Sequence, residues 1–191
     1  MLGGWSLGGI HAYETSRQLI AQGETITNLI MIDSPCPGTL PPLPSPTLNL
    51  LEKAGVFDGL SSSGGPITER TRLHFLGSVR ALEHYTVTPL PAGKSPGKVT
   101  VIWAQEGVLE GREEQGKEYM AATSSGDINA DMDKAKQWLT GKRDSFGPSG
   151  WDKLTGTEVA CHVVGGNHFS IMFPPKIAAV AAAVATGLPS K

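Results

Sequence analysis

The sequence predicts an α/β fold, in which a mostly parallel sheet carries helices on its faces and a helical insertion separates two of its strands. Three observations predict it. Short apolar runs read as strands buried on both faces. Stretches of helical period alternate with those runs. Clusters of proline and glycine separate the two kinds of segment. With 191 residues, 39% of them hydrophobic, the chain is long enough for one domain with a core of its own.

From Gly8 to Gln22 the residues Ile10, Tyr13, Leu19 and Ile20 recur at helical spacing, and Gly23 supplies a left-handed stop. Ile26–Asp33 follows as a strand, its apolar tail Leu29–Ile32 suited to burial on both faces. Six prolines (35, 37, 41, 42, 44 and 46) exclude regular structure between Ser34 and Pro46. Two helices are expected next, Leu48–Phe57 and Ile67–Tyr85, the second with Leu73, Leu76, Val79 and Leu82 as its apolar stripe. Pro89, Pro91, Gly93, Pro96 and Gly97 close this region, and Lys98–Ala104 is the second buried strand. The polar stretch from Glu106 to Ser149 holds a helix around Asp131–Leu139. Glu158–Val164 is the third strand, and a last helix opens at Pro174 or Pro175 and ends near Gly187. Residues 37–97 read as an insertion placed like a lid, with an ordinary pair of packing helices as the alternative.

Composition removes several classes of function. A formal net charge of −2, with 18% charged residues and no long run of one sign, argues against a nucleic-acid binder. Cys36 and Cys161 are too few and too far apart for a disulfide framework or a cysteine-rich zinc site, so a reduced, cytoplasmic setting is the default. The longest apolar run, Ile177–Ala185, falls far short of the roughly 20 residues that cross a bilayer. The N-terminus has no basic region ahead of its short apolar stretch, which Gly3 and Gly4 break. A soluble protein with no membrane partner is expected.

The chemistry-bearing signal is Gly4-Trp5-Ser6-Leu7-Gly8, a Gly-x-Ser-x-Gly pattern. Such a serine sits on a strained turn from strand to helix, where small flanking residues let the backbone turn sharply. An apolar lead-in and an amphipathic helix directly behind Ser6 fit that context, which is the nucleophile elbow of an α/β-hydrolase fold. The Leu7 N–H then lies at the helix N-terminus, aimed at a developing oxyanion. A serine hydroxyl needs a base to take its proton. His168, on a glycine-softened loop after the last strand, is the candidate, in the chain order this fold uses. His11, His74, His84 and His162 read as surface or core histidines. Two acids remain open on spacing: Asp33 at the end of the first strand, ahead by a little, and Glu106 after the following strand, the commoner position in the wider fold. Asp33 before Ser-Pro also reads as a plain turn residue. No metal site is expected.

Gly3-Gly-Trp-Ser-Leu-Gly-Gly9, Asp33-Ser-Pro35, Val101-Ile-Trp-Ala-Gln-Glu-Gly107, Phe146-Gly-Pro-Ser-Gly-Trp-Asp-Lys-Leu154 and Gly166-Asn-His-Phe-Ser170 resemble the C-terminal thioesterase/Claisen-cyclase domains of fungal non-reducing polyketide synthases. The resemblance covers essentially the whole chain. It implies that Asp33 is the acid, that residues 37–97 form a helical lid, and that Ser6 takes a polyketide acyl chain from the phosphopantetheine arm of an acyl carrier protein. Release then follows by Claisen cyclisation or by hydrolysis, with His168 as base and no cofactor of the domain's own. Trp5 and Pro35 are candidate pocket residues, with a core role beside the elbow the equal alternative for Trp5. A stand-alone serine esterase and an inactive remnant that only binds a carrier or partner chain are the competing readings. The sequence starts at the elbow, without the strands and the oxyanion-donor loop that precede it in a complete hydrolase domain. The expectation is therefore an inactive or poorly folded chain unless a second chain supplies the missing strands.

Overall fold

The computed structural model describes residues 1–40, 52, 57, 68–111 and 130–188. Among them the elements run β1 (Leu2–Trp5), α1 (Leu7–Ala21), β2 (Asn28–Ile32), α2 (Glu69–Glu83), β3 (Lys98–Glu106), α3 (Ala130–Thr140), α4 (Trp151–Thr155), β4 (Val159–Asn167), a 3₁₀ turn (Ser170–Met172) and α5 (Ile177–Thr186). The expected helix Leu48–Phe57 lies largely outside the described residues. No described helix is long and apolar enough to cross a membrane.

The four strands form one sheet in the order β1-β2-β3-β4. β1 and β2 pair in parallel, with Leu2 beside Leu29 and Trp5 beside Ile32. β2 and β3 do the same, with Leu29 beside Val99 and Ile32 beside Ile102. Two-sided burial explains the unbroken apolar runs: Leu29, Ile30 and Met31 in β2 and Val99 through Ala104 in β3 are all buried. By strand alternation, Ile30, Ile102 and Ala104 share one face, where they meet Val164, Ile171, Val180 and Ala183 from β4, the 3₁₀ turn and α5. Leu29, Met31, Val99, Val101 and Trp103 point the other way. α1 packs against β1 and β2, with Ile10, Tyr13 and Ile20 buried at the predicted spacing. Gly23 follows with φ 92°, the left-handed stop its position required.

Several boundaries differ from the sequence reading. The apolar lead-in to Ser6 is the strand β1, as the elbow pattern requires, whereas α4 adds a helical turn that periodicity is too short to reveal. β4 runs on through Gly165 and Gly166 to Asn167, so these glycines belong to a strand and not to a loop. α5 begins at Ile177, after both prolines. In α2, Thr68 caps the first turn by accepting from the Thr71 N–H, and Val79 is buried. Leu73 is 57% exposed, which removes it from the apolar stripe. Phe75 instead meets Phe57, ring centroids 5.5 Å apart.

The chain divides into two compact units. The first, residues 1–39, 87–105 and 144–191, holds the sheet core and every residue of the site described next; the second comprises 40–86 and 106–143. Within the second, the Val108 N–H donates to the Leu139 carbonyl at the end of α3.

Candidate active site

β1 delivers the chain into Ser6, whose φ of 56° and ψ of −128° mark a sharp reversal before α1 begins at Leu7. The Ser6 N–H donates to the Ile32 carbonyl at 2.9 Å, and its own carbonyl accepts from the Gly9 N–H at 3.0 Å. The turn is tight because strand and helix touch backbone to backbone. A Cβ on Gly4 would lie 2.2 Å from the carbonyl carbon and oxygen of Gly8. A Cβ on Gly9 would lie 2.4 Å from Ser34 Oγ, whereas one on Gly8 would meet nothing within 4 Å. The close approaches therefore demand Gly4 and Gly9. The second glycine of the recognised pattern, Gly8, is not the one the packing needs. Leu7 opens α1, so its N–H is among those that a helix start leaves without an intrahelical acceptor.

Asp33, at the end of β2, has a positive φ of 44° that turns its carboxylate inward, and it is fully buried. Its Oδ2 lies 2.7 Å from His168 Nδ1, and its Oδ1 accepts from the Ala104 N–H at 3.0 Å. His168 Nε2 lies 2.9 Å from Ser6 Oγ. With the ring hydrogen on Nδ1, His168 donates to Asp33 and keeps Nε2 free to accept from the serine hydroxyl. The arrangement can move a proton off Ser6 Oγ and hold the imidazolium that results. The structure thus brings together Ser6, Asp33 and His168. Glu106 is the last residue of β3, and the carboxylate of Asp33 meets the imidazole.

The remaining candidates fall where their chemistry is bland. His11, His74 and His84 are exposed, and His162 pairs with Thr186 Oγ1 at 3.2 Å. Pro35 is half-buried in the loop behind the acid. Trp5 is half-buried, its indole against the ring of His168. Burial pushes the Cys36 thiol up, and likewise Cys161, so neither offers a thiolate. Among the described residues, no group of three or more His, Cys, Asp or Glu could hold a metal ion.

Sequence reasoning missed the supports. Ser34 Oγ donates to the Ser6 carbonyl at 2.7 Å, so the loop that carries Asp33 also braces the turn at Ser6. Trp151 Nε1 in turn donates to the Ser34 carbonyl at 3.2 Å. Asn167 Oδ1 accepts from the Phe169 and Ser170 N–H groups at 3.1 and 2.9 Å, closing the turn that presents His168. Both serine and asparagine stand in the motif blocks quoted above, and that adjacency is the one signal that points to them.

A model of the thioesterase domain family matches residues 1–185. A non-reducing polyketide synthase of Cladonia metacorallifera, crz7, is 88% identical over 191 residues, all of this chain and 9% of that protein. PKS16 of Cladonia grayi is 90% identical over 177 residues, 93% of the chain and 8% of that protein. The orsellinic acid synthase of Emericella nidulans is 32% identical over 186 residues, 92% of the chain and 9% of that protein. The chain thus spans about 9% of the length of these curated relatives. Among solved structures, the RedJ thioesterase of Streptomyces coelicolor superposes with a TM-score of 0.60 at 18% identity, over 98% of this chain and 62% of that one. The NocB thioesterase domain, solved as a covalent complex with a fluorophosphonate nocardicin G analogue, gives 0.57 at 18% identity, over 99% and 66%. These likenesses show the fold, an α/β-hydrolase of the thioesterase type.

Proposed function

The chain belongs to the thioesterase domain family, and from that premise we propose that it releases a polyketide acyl chain from an acyl carrier protein through an ester on Ser6. The observation that carries this reading is the hydrogen-bonded series from buried Asp33 through His168 to Ser6 Oγ, at 2.7 and 2.9 Å. The near-identity to non-reducing polyketide synthases supports the substrate class and a place beside a carrier domain.

In the first half-reaction Ser6 Oγ attacks the thioester carbonyl while His168 Nε2 takes its proton. The oxyanion that forms is stabilised by the Leu7 N–H at the start of α1. As the intermediate collapses, the carbon–sulfur bond breaks, and the phosphopantetheine thiolate of the carrier leaves with the proton held on His168. The second half-reaction takes one of two courses. In Claisen cyclisation His168 removes a proton from a carbon flanked by carbonyls, that carbon bonds to the ester carbonyl, and the Ser6 alkoxide leaves and recovers the proton. In hydrolysis His168 deprotonates water instead. Residues 37–97 are assigned the part of a lid that excludes water, supported by helix α2 within that span and its proline-rich borders. Every proton transfer runs through the chain's own residues, and the phosphopantetheine belongs to the carrier.

Mass spectrometry after incubation with a serine-directed fluorophosphonate tests the reading. A single adduct on Ser6 is expected, absent in Ser6→Ala and slowed on the order of 10⁴-fold in Asp33→Asn. Folded protein that takes no adduct at Ser6 would overturn it. Products released from a carrier-bound polyketide mimic then separate ring closure from hydrolysis.

A further inference from the structure

We propose that Trp5 is a positioning residue for His168, gripping both the backbone and the ring of the base from the position next to the nucleophile. The proposal rests on the reading of His168 as the base that serves Ser6. Trp5 Nε1 donates to the His168 carbonyl oxygen at 3.0 Å, across 163 residues of sequence. The indole also lies along the imidazole, ring centroids 5.1 Å apart with the planes tilted by 31°. Phe169 meets both rings edge-on, its ring 6.0 Å from Trp5 at 79° and 5.0 Å from His168 at 85°.

Each contact has a separate physical consequence. A partly buried indole N–H needs an acceptor, and here the acceptor is the carbonyl of the residue whose placement matters most. That bond ties the turn after β4 to the end of β1, one peptide unit before Ser6. The distance from Ser6 Oγ to His168 Nε2 is thereby set by a closed ring of short-range contacts instead of by a loop anchored only through its own turn. The aromatic face serves at a different moment. When His168 carries the proton of Ser6 it is a cation, and an aromatic ring within about 6 Å attracts a cation. Asp33 steadies Nδ1 in the ring plane, while Trp5 steadies the ring face and the backbone beneath it. The indole is a clamp on the base, which differs from the pocket-lining role its place beside the serine first suggests.

The test uses the full chain and a fluorophosphonate whose saturation kinetics give kinact and KI separately. Trp5→Phe keeps a ring face and removes the donor; Trp5→Leu removes both. Expected losses in kinact are about tenfold and about 100-fold, the size of effect that a misplacement near 1 Å produces, with KI unchanged. In parallel, the far-downfield proton resonance of the His168 Nδ1–H bonded to Asp33 should be sharp in the wild type, lost in Asp33→Asn, and broadened in Trp5→Phe. Circular dichroism monitors the fold, and Trp5→Phe alone decides if Trp5→Leu does not fold. A folded Trp5→Phe with wild-type kinact and a sharp resonance overturns the proposal. So does a raised KI with kinact intact, which would return Trp5 to the pocket wall. Wild-type protein without an adduct at Ser6 removes the underlying assignment of the base, a failure distinguishable from the other two.

Discussion

Ser6 and Asp33 both hold positive φ angles, 56° and 44°, a conformation that costs a non-glycine residue on the order of 1 kcal/mol or more. Such a conformation persists where neighbours over-determine it, and Ser34 is one such neighbour. Its hydroxyl donates to the Ser6 carbonyl while its backbone continues from Asp33. Ser34→Ala should cost about 1 kcal/mol, which is roughly 2–4 °C in thermal midpoint for a domain of this size. The Ser6 labelling rate should fall with it, because the elbow loses a brace. An unchanged rate would show that the Gly9 N–H alone suffices to hold the turn. At this scale Ser6 and His168 were legible as candidates, because each sits at a strand end inside a recognisable motif, and Asp33 only as one of two possible acids. Ser34 was not, because a serine hydroxyl has no sequence pattern that distinguishes a bond to a backbone carbonyl from exposure to water.

Among elements, the decisive contact is the join of β1 to α1. The pattern Gly-x-Ser-x-Gly suggests equal roles for Gly4 and Gly8, yet the missing Cβ atoms matter at Gly4 and Gly9. Gly4→Ala puts a carbon against backbone atoms that cannot rotate away, so a loss of about 3 kcal/mol or more is expected. Gly9→Ala meets Ser34 and should be harmful to a lesser degree. Gly8→Ala enters open space in a helix, where alanine is favoured by about 1 kcal/mol, so its stability should match or exceed the wild type. Chemical denaturation of the three variants checks the order, and a Gly8→Ala as damaging as Gly4→Ala would refute it. Among the described residues, α1, α2, α3, α5 and the strands β2 to β4 were readable from period and burial. α4 escaped because five residues are too few for a period to register.

On the scale of the whole molecule, Tyr13 ties α1 to two distant segments of the sheet unit. It is fully buried, and the single hydrogen of its hydroxyl is shared between the carbonyls of Thr88 and Leu154, at 2.8 and 3.0 Å. Burial pushes its pKa from 10.0 up to about 12, against the opposing pull of the Arg17 charge. The folded state therefore holds this proton more tightly than the unfolded chain. The resulting stability is fully present below about pH 10 and is lost as pH climbs from 10 to about 12. Tyr13→Phe, which takes the donor from the Thr88 carbonyl while the Leu154 carbonyl keeps the Leu90 N–H, should cost about 1–3 kcal/mol at neutral pH. The gap between wild type and variant should then narrow by at most about 3 kcal/mol over that alkaline range. Urea unfolding at stepped pH measures it, and a gap independent of pH would contradict this account of Tyr13.

By itself the sequence determined the alternating strand and helix order, the two-faced burial of β2 and β3, and Ser6 and His168 as nucleophile and base candidates. These follow from local rules: strand and helix periods, glycine at a sharp turn, proline outside regular elements. It left Asp33 and Glu106 both open as the acid on spacing, because each follows a buried strand. Tertiary structure places Asp33 2.7 Å from His168, across 135 residues of sequence. It also chose Gly9 over Gly8, set the Trp5 indole against the ring and carbonyl of His168, and recruited Ser34 and Asn167 as braces. The physical reason is the same in each case. A hydrogen bond or a close approach between residues far apart in sequence depends on register and strand order, and no window of neighbouring residues contains either.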